Sequence, residues 1–213
     1  MSDDVKSSIP KGTKKRGRPR RFDPDAALDA AVEVFWAKGY EGASLDDLTG
    51  AMGINRPSLY AAFGDKRALF AAALRRYGDG AGRAALDAFA AEPDVRAATR
   101  RFLEVSLDGQ ARSGDCAKGC LIASCAAPAA PFLPEAADAV AGGLAASEAA
   151  LTERFAAEVA AGALSPRPEP AARAVILLDL MQAQAYRARA GATKEALAAL
   201  IPARVDAALA PAG

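Results

Sequence analysis

An all-α fold is predicted by three observations: apolar residues recur at helical spacing along most of the chain, capping side chains precede the periodic runs, and no segment alternates as a half-buried strand does. The abundance of Ala, the best helix former, points the same way. The expected architecture is a three-helix unit with a helix-turn-helix at residues 22–68, preceded by a disordered arm at 1–21 and followed by a helical body at 69–213. Nine or ten helices are expected in all.

Residues 1–21 are polar, charged and punctuated by Gly and Pro, the composition of an arm that orders on a partner. Helix one starts at Asp23 as cap with Pro24 in the first position, shows Leu28, Ala31, Val32 and Phe35 on its apolar face, and ends at Gly39 before Tyr40. Ser44 caps a second helix with Leu45, Leu48, Ala51 and Met52 at helical spacing, and Asp46 and Asp47 lie where the dipole favours anions. Gly53 breaks that run. Asn55 caps a third helix, in which Leu59, Ala62 and Phe63 share one face, Pro57 and Ala61 lie on the opposite one, and Ser58 and Tyr60 flank it. A fourth helix runs from about Lys66 to Tyr77, and Gly78, Gly80 and Gly82 predict a kink or an end near residue 80 before helix resumes to about Ala91. Beyond Pro93 the spacing predicts helices at about 94–111, 116–127, 135–161, 170–190 and 193–209. The prolines at 128, 131 and 134 make one loop, and the Pro-rich stretch at 165–170 makes another.

Two short helices joined by a tight turn at residues 44–66 form helix-turn-helix geometry, with Arg56 and Pro57 in the first turn of the second helix, where a recognition helix meets base edges. Residues 54–70, Ile-Asn-Arg-Pro-Ser-Leu-Tyr-Ala-Ala-Phe-Gly-Asp-Lys-Arg-Ala-Leu-Phe, resemble the recognition helix and following helix start of TetR-type repressors. Residues 31–48, Ala-Val-Glu-Val-Phe-Trp-Ala-Lys-Gly-Tyr-Glu-Gly-Ala-Ser-Leu-Asp-Asp-Leu, resemble the first two helices of the same family. The resemblance is specific over residues 24–75, about a quarter of the chain, and architectural after that. It implies a DNA-binding transcriptional regulator, most often a repressor released from a palindromic operator by a small-molecule effector, working as a homodimer.

Charge is distributed as such a function needs. Eight basic residues against Asp3 and Asp4 leave residues 1–21 at +6, so with a net charge of +1 the remainder carries −5. A basic arm on an acidic body is the asymmetry of a protein that meets a polyanion at one end. Arg16-Gly-Arg-Pro-Arg-Arg21 resembles an AT-hook, in which arginines on an extended backbone enter a narrow minor groove. An architectural AT-rich DNA binder without a defined operator is therefore the alternative reading.

Composition disfavours catalysis. Histidine is absent, which removes the commonest general base and the commonest metal ligand, and the chain has neither a nucleotide-binding Gly loop nor carboxylates clustered at metal-ligand spacing. No enzyme, cofactor or metal is expected. The N-terminus lacks the apolar core of a secretory signal and no apolar stretch reaches membrane-spanning length, so a cytoplasmic protein with no membrane partner is expected.

The candidate DNA contacts divide by role. Arg16, Arg18, Arg20 and Arg21 belong to the arm. Arg56 is the candidate base reader, because its guanidinium matches the two major-groove acceptors of guanine, and Pro57, Ser58 and Ala61 accompany it on the recognition helix. The resemblance implies that Tyr60 sets its hydroxyl on a phosphate and that Ser44 and Lys66 meet the backbone from the starts of helices two and four. Many family members carry His, Arg or an aromatic residue where this chain has Ala61 and Ala62, so its recognition helix offers fewer polar contacts.

In the body, Ala174-Val-Ile-Leu-Leu-Asp-Leu-Met181 is apolar nearly all round and, with Leu197, Leu200, Ile201, Val205 and Leu209, forms a helix pair suited either to a symmetry mate or to an intramolecular core. The resemblance implies a pocket for an unidentified effector, with Phe102, Ser106, Cys120, Ile122, Phe132, Phe155, Met181, Gln182 and Tyr186 as candidate lining. Cys116, Cys120 and Cys125 admit packing, thiol sensing or a thiolate metal site, although their spacing is not that of zinc knuckles and Gly119-Cys-Leu-Ile122 looks like a packing motif of TetR-type relatives.

If the arm compensates for the two alanines of the recognition helix, deleting residues 1–21 weakens DNA binding and lowers the salt slope by about 0.9 for each phosphate no longer neutralised, measured by titration at several salt concentrations. An unchanged slope refutes this role.

Overall fold

Six of the α-helices open on a capping side chain in the computed structural model, which describes residues 22–111 and 119–211. The arm, with Arg16, Arg18, Arg20 and Arg21, and the residues around Cys116 lie outside the described residues. Asp23 accepts from the amide of Asp25 at the head of α1 (Pro24–Gly42), and Gly39 interrupts that helix near its end. Ser44, Asn55 and Asp65 cap α2 (Leu45–Met52), α3 (Arg56–Phe63) and α4 (Lys66–Tyr77). Asp94 caps α6 (Val95–Gln110), which follows α5 (Arg83–Ala91). The chain continues through α7 (Ala127–Ala129), α8 (Pro134–Ala160), α9 (Pro170–Arg189), α10 (Lys194–Ala198) and α11 (Ile201–Leu209). Nine of these helices have eight residues or more, and among the described residues there is no strand. The molecule is all-α, as predicted.

Local chemistry explains where the observed elements depart from the expected ones. The glycines at 78, 80 and 82 do not end the helix; they widen it into a π-helical turn, Gly78–Gly82, that joins α4 to α5. The segment expected to be helical from 116 is not helical at Gly119 and Cys120 and becomes helical only at Leu121, running through a π-helical turn, Ile122–Ala126, into α7. Pro128 and Pro134 sit in the first turns of α7 and α8, where a missing amide costs nothing, so the loop between them is shorter than expected. The last helix divides between α10 and α11 because Pro202 has no amide to donate and its ring would collide with the carbonyl of Ala198.

Buried apolar side chains fall into two clusters. One joins α1–α4 to the segment from Leu121 to Ala136, with Phe35 edge-on to Phe70 at 4.8 Å and Trp36 edge-on to Tyr77 at 5.1 Å. The other joins α5, α6, α8, α9, α10 and α11 around Phe89, which meets Phe155 at 5.6 Å and Phe102 at 6.2 Å. Leu197, Ile201 and Val205 are buried within this second core, whereas Val175, Tyr186 and Leu200 face outward, with Tyr186 78% exposed. No helix among the described residues is long and apolar enough to cross a membrane.

Gly119 locks the 119–136 segment to the body. Its φ is +64°, its amide donates to the carbonyl of Gln110 at 3.1 Å, and an added Cβ would stand 2.9 Å from the carbonyl oxygen of Ala185 on α9. Gly53 has the same φ, +64°, but open space around it. Gly119→Ala is expected to cost about 3 kcal/mol, combining left-handed strain with backbone displacement, and Gly53→Ala only about 1 kcal/mol. Denaturant unfolding of the two variants gives the comparison; equal losses would show that the contact with Ala185 is not limiting.

Candidate nucleic-acid interface

The turn between α2 and α3 is built from reciprocal caps. Ser44 Oγ accepts from the Asp47 amide at 3.0 Å while Asp47 Oδ2 accepts from the Ser44 amide at 3.0 Å, completing a capping box. Lys38 of α1 pairs with the other oxygen of Asp47. These partners, the Lys38 ammonium first and the Ser44 hydroxyl and amide next, hold the Asp47 carboxyl well below its usual range. Gly53 takes the left-handed conformation that closes α2, and Asn55 Oδ1 accepts from the Ser58 amide at 2.9 Å to open α3.

Burial then decides which residues α3 presents. Leu59 is fully buried and Phe63 packs against Phe22 at 6.4 Å, so Arg56, Pro57, Tyr60 and Ala61 are left exposed, with Ser58 half-buried beside them. Tyr60 is 49% exposed. Ser44 is exposed at the head of α2, and the Lys66 ammonium lies 4.6 Å from the centre of the Tyr40 ring at the head of α4. The seven candidates Ser44, Arg56, Pro57, Ser58, Tyr60, Ala61 and Lys66 thus stand on α3 or at the starts of α2 and α4, apart from the buried faces of these helices. The guanidinium of Arg56 is not loose: its Nε and Nη2 donate to Asp46 Oδ1 at 3.2 and 2.8 Å. Sequence reasoning recognised Asp46 only as a first-turn anion, because a partner ten residues away across a turn leaves no periodic signal.

A cavity of about 470 Å³ opens on the body side of α4, walled by α4, the π-helical turn after it, α5, α6, α8, α9 and the 120–122 segment. It brings together six of the nine expected lining residues, Phe102, Ser106, Cys120, Ile122, Met181 and Gln182. The other three lie elsewhere. Phe132 is 54% exposed in the turn before α8, Tyr186 projects outward from α9, and Phe155 is consumed by the second core. Sequence reading missed Tyr77 and Gln110, as well as the small residues of α8, including Gly142, Gly143 and Ser147, which line one side. Alanine and glycine on a half-exposed helix carry no apolar stripe that would announce a wall.

Most of the cavity wall is apolar, but Arg75, Asp79, Arg83 and Asp138 also line it. The Oε1 of Gln182 is buried without a hydrogen-bond partner among the described residues. The Tyr77 hydroxyl donates to Cys120 Sγ at 3.7 Å, and burial, followed by the neighbouring Cys120, pushes this phenol well above its ordinary range. Behind the wall, Arg204 donates to Gln184 at 2.8 Å and Gln184 donates to Gln110 at 3.2 Å. Cys125 lies away from the cavity, donates to the carbonyl of Phe35 at 3.2 Å, and has its thiol raised by burial.

The lowered carboxyl of Asp47 makes the helix-turn-helix acid-sensitive. A depressed folded-state value contributes stability above the unfolded value of 3.8 that is lost as pH falls through the folded one. Asp47→Asn is therefore expected to lower the melting temperature at neutral pH, with a gap to wild type that shrinks progressively below pH 3.8, by calorimetry across pH. A gap independent of pH would contradict this.

The same segment is matched in known proteins. Residues 27–73 fit the family model described as bacterial regulatory proteins, tetR family. The chain is 34% identical over 185 residues to the HTH-type transcriptional repressor ComR of Escherichia coli strain K12, covering 86% of this chain and 88% of that protein. It is 33% identical over 101 residues to the HTH-type transcriptional activator FasR of Mycolicibacterium smegmatis, covering 46% of each. Among solved structures, a cysteine variant of the TetR family transcriptional regulator CifR, complexed with 26-base-pair double-strand operator DNA, superposes with a TM-score of 0.80 at 34% identity, over 89% of this chain and 99% of that one. The chain belongs to the TetR family of helix-turn-helix transcriptional regulators.

Proposed function

We propose that this regulator is a repressor that binds a palindromic operator as a homodimer and is released when a small molecule fills the cavity beside α4. The observation that carries the reading is the continuity of α4: Lys66 stands at its exposed start beside α3, and Leu74, Arg75 and Tyr77 at its other end line the cavity. Residues 22–68 read DNA, residues 69–213 bind effector and partner subunit, and the arm at 1–21 adds phosphate contacts. Arg56 reads a guanine, Pro57, Ser58 and Ala61 lie against neighbouring bases, and Tyr60, Ser44 and Lys66 hold phosphates.

Support comes from several sides. The relative ComR is named a repressor, and CifR is complexed with operator DNA. Val175 and Tyr186 on α9, with Leu200 before α11, leave apolar surface on the two C-terminal helices for a second copy. A two-fold dimer sets its recognition helices about 34 Å apart, one turn of DNA. The cavity suits a largely apolar effector with a donor that meets Gln182 Oε1. Filling it displaces the C-terminal end of α4, and a coupling of about 1–3 kcal/mol is sufficient for induction.

Footprinting with the full chain is expected to give a bounded palindromic site, and Arg56→Ala to weaken it by about 1–3 kcal/mol at one base pair per half-site. Transcription in vitro from the protected promoter is expected to fall on adding protein. Diffuse protection of AT-rich DNA would make it an architectural binder, and a rise in transcription would make it an activator.

A further inference from the structure

The pairing of Arg56 with Asp46 lies on the exposed side of the helix-turn-helix. The two side chains are 53% and 79% exposed, so the pair adds little to stability. Asp46 does not supply the cap of α2 either, which Ser44 and Asp47 complete without it. A guanidinium carries five N–H donors in a rigid fork. Asp46 Oδ1 engages the two on the Nε side, one from Nε and one from Nη2. Among the described residues the end of the fork, with parallel N–H groups on Nη1 and Nη2, has no partner, and it is this end that matches O6 and N7 of a guanine.

We propose that Asp46 is a positioning residue for base reading, holding Arg56 by its Nε edge so that the end of its fork faces the major groove in one orientation. This rests on the assignment of α3 as the recognition helix. A free arginine swings among many rotamers and satisfies itself on phosphates or on any base acceptor within reach. Held by one edge, it donates in a single direction. The carboxylate also repels phosphates, which lowers affinity for unmatched DNA and sharpens the preference further. Ala61 and Ala62 add no polar groups to the recognition helix, so the direction of this one side chain sets much of its selectivity.

The test is selection of duplexes from a randomised library by the full-length chain, followed by competition binding at each selected position. Wild type is expected to select a palindrome with a guanine in each half-site, and Arg56→Ala to lose that guanine while keeping the other positions. Asp46→Ala is expected to lose preference at the same position by about tenfold, Asp46→Glu to regain part of it, and the double variant to behave as Arg56→Ala alone. Unchanged guanine preference in Asp46→Ala, or a change in affinity equal for all sequences, overturns the proposal. So does an Arg56→Ala variant that loses preference nowhere. A wild-type chain that selects no palindrome refutes the operator reading itself, and the proposal falls with it.

Discussion

The first four helices, which include the helix-turn-helix, do not close a core by themselves. Their buried face, from Phe35, Leu48, Leu59, Leu69 and Phe70, is completed by Leu121, Cys125, Ala126, Ala129, Leu133 and Ala136, which come from far along the chain. A Leu in such a position is worth about 1.5–3 kcal/mol of burial, so this segment contributes substantially to the stability of the N-terminal core. The segment in turn is pinned to α9 by the close approach of Gly119 to Ala185, and Cys120 and Ile122, just after it, line the cavity. One stretch of chain therefore bears on the helix-turn-helix, the body and the cavity wall, and a shift in it is felt by all three.

Polar groups inside the body are arranged to hold that geometry. Arg173 is fully buried, and its terminal nitrogens donate to the carbonyls of Ala208, Ala210, Ser165 and Arg167, tying the loop before α9 to the end of α11. No carboxylate accompanies it among these partners, and desolvation lowers its pKa. Arg204, Gln184 and Gln110 run from α11 through α9 to α6 behind the cavity, so the wall that carries Met181 and Gln182 is fixed by donors and acceptors as well as by packing. Among the described residues Arg173 Nε and Gln182 Oε1 are buried without a hydrogen-bond partner, and of the two Gln182 lines the cavity.

On the outside, ion pairs serve orientation more than stability. Arg67 pairs with Glu135 and Arg76 with Asp29, joining α4 to α8 and to α1 across exposed surface, where single pairs contribute about 0–1 kcal/mol. Their value is directional: they restrain α4, the helix shared by the N-terminal core and the cavity. The pair between Arg56 and Asp46 works on the same principle at smaller scale, on one side chain instead of one helix.

Local chemistry made much of this molecule legible without coordinates. Asp23, Ser44 and Asn55 announce helix starts because each cap is satisfied within a few residues, and Gly53 announces a stop because few other residues adopt its backbone angles cheaply. The helix-turn-helix and its family are readable for the same reason, since the whole motif lies within one short stretch. What the sequence by itself determined was thus the helices, the turn and the set of residues on the solvent side of α3. Only the tertiary structure decided that Phe155 fills a core while Phe132 and Tyr186 face solvent, that α8 lines the cavity with small residues, and that Asp46 holds Arg56. Each depends on separate elements meeting in space, and helical periodicity says which face is apolar without saying what it meets.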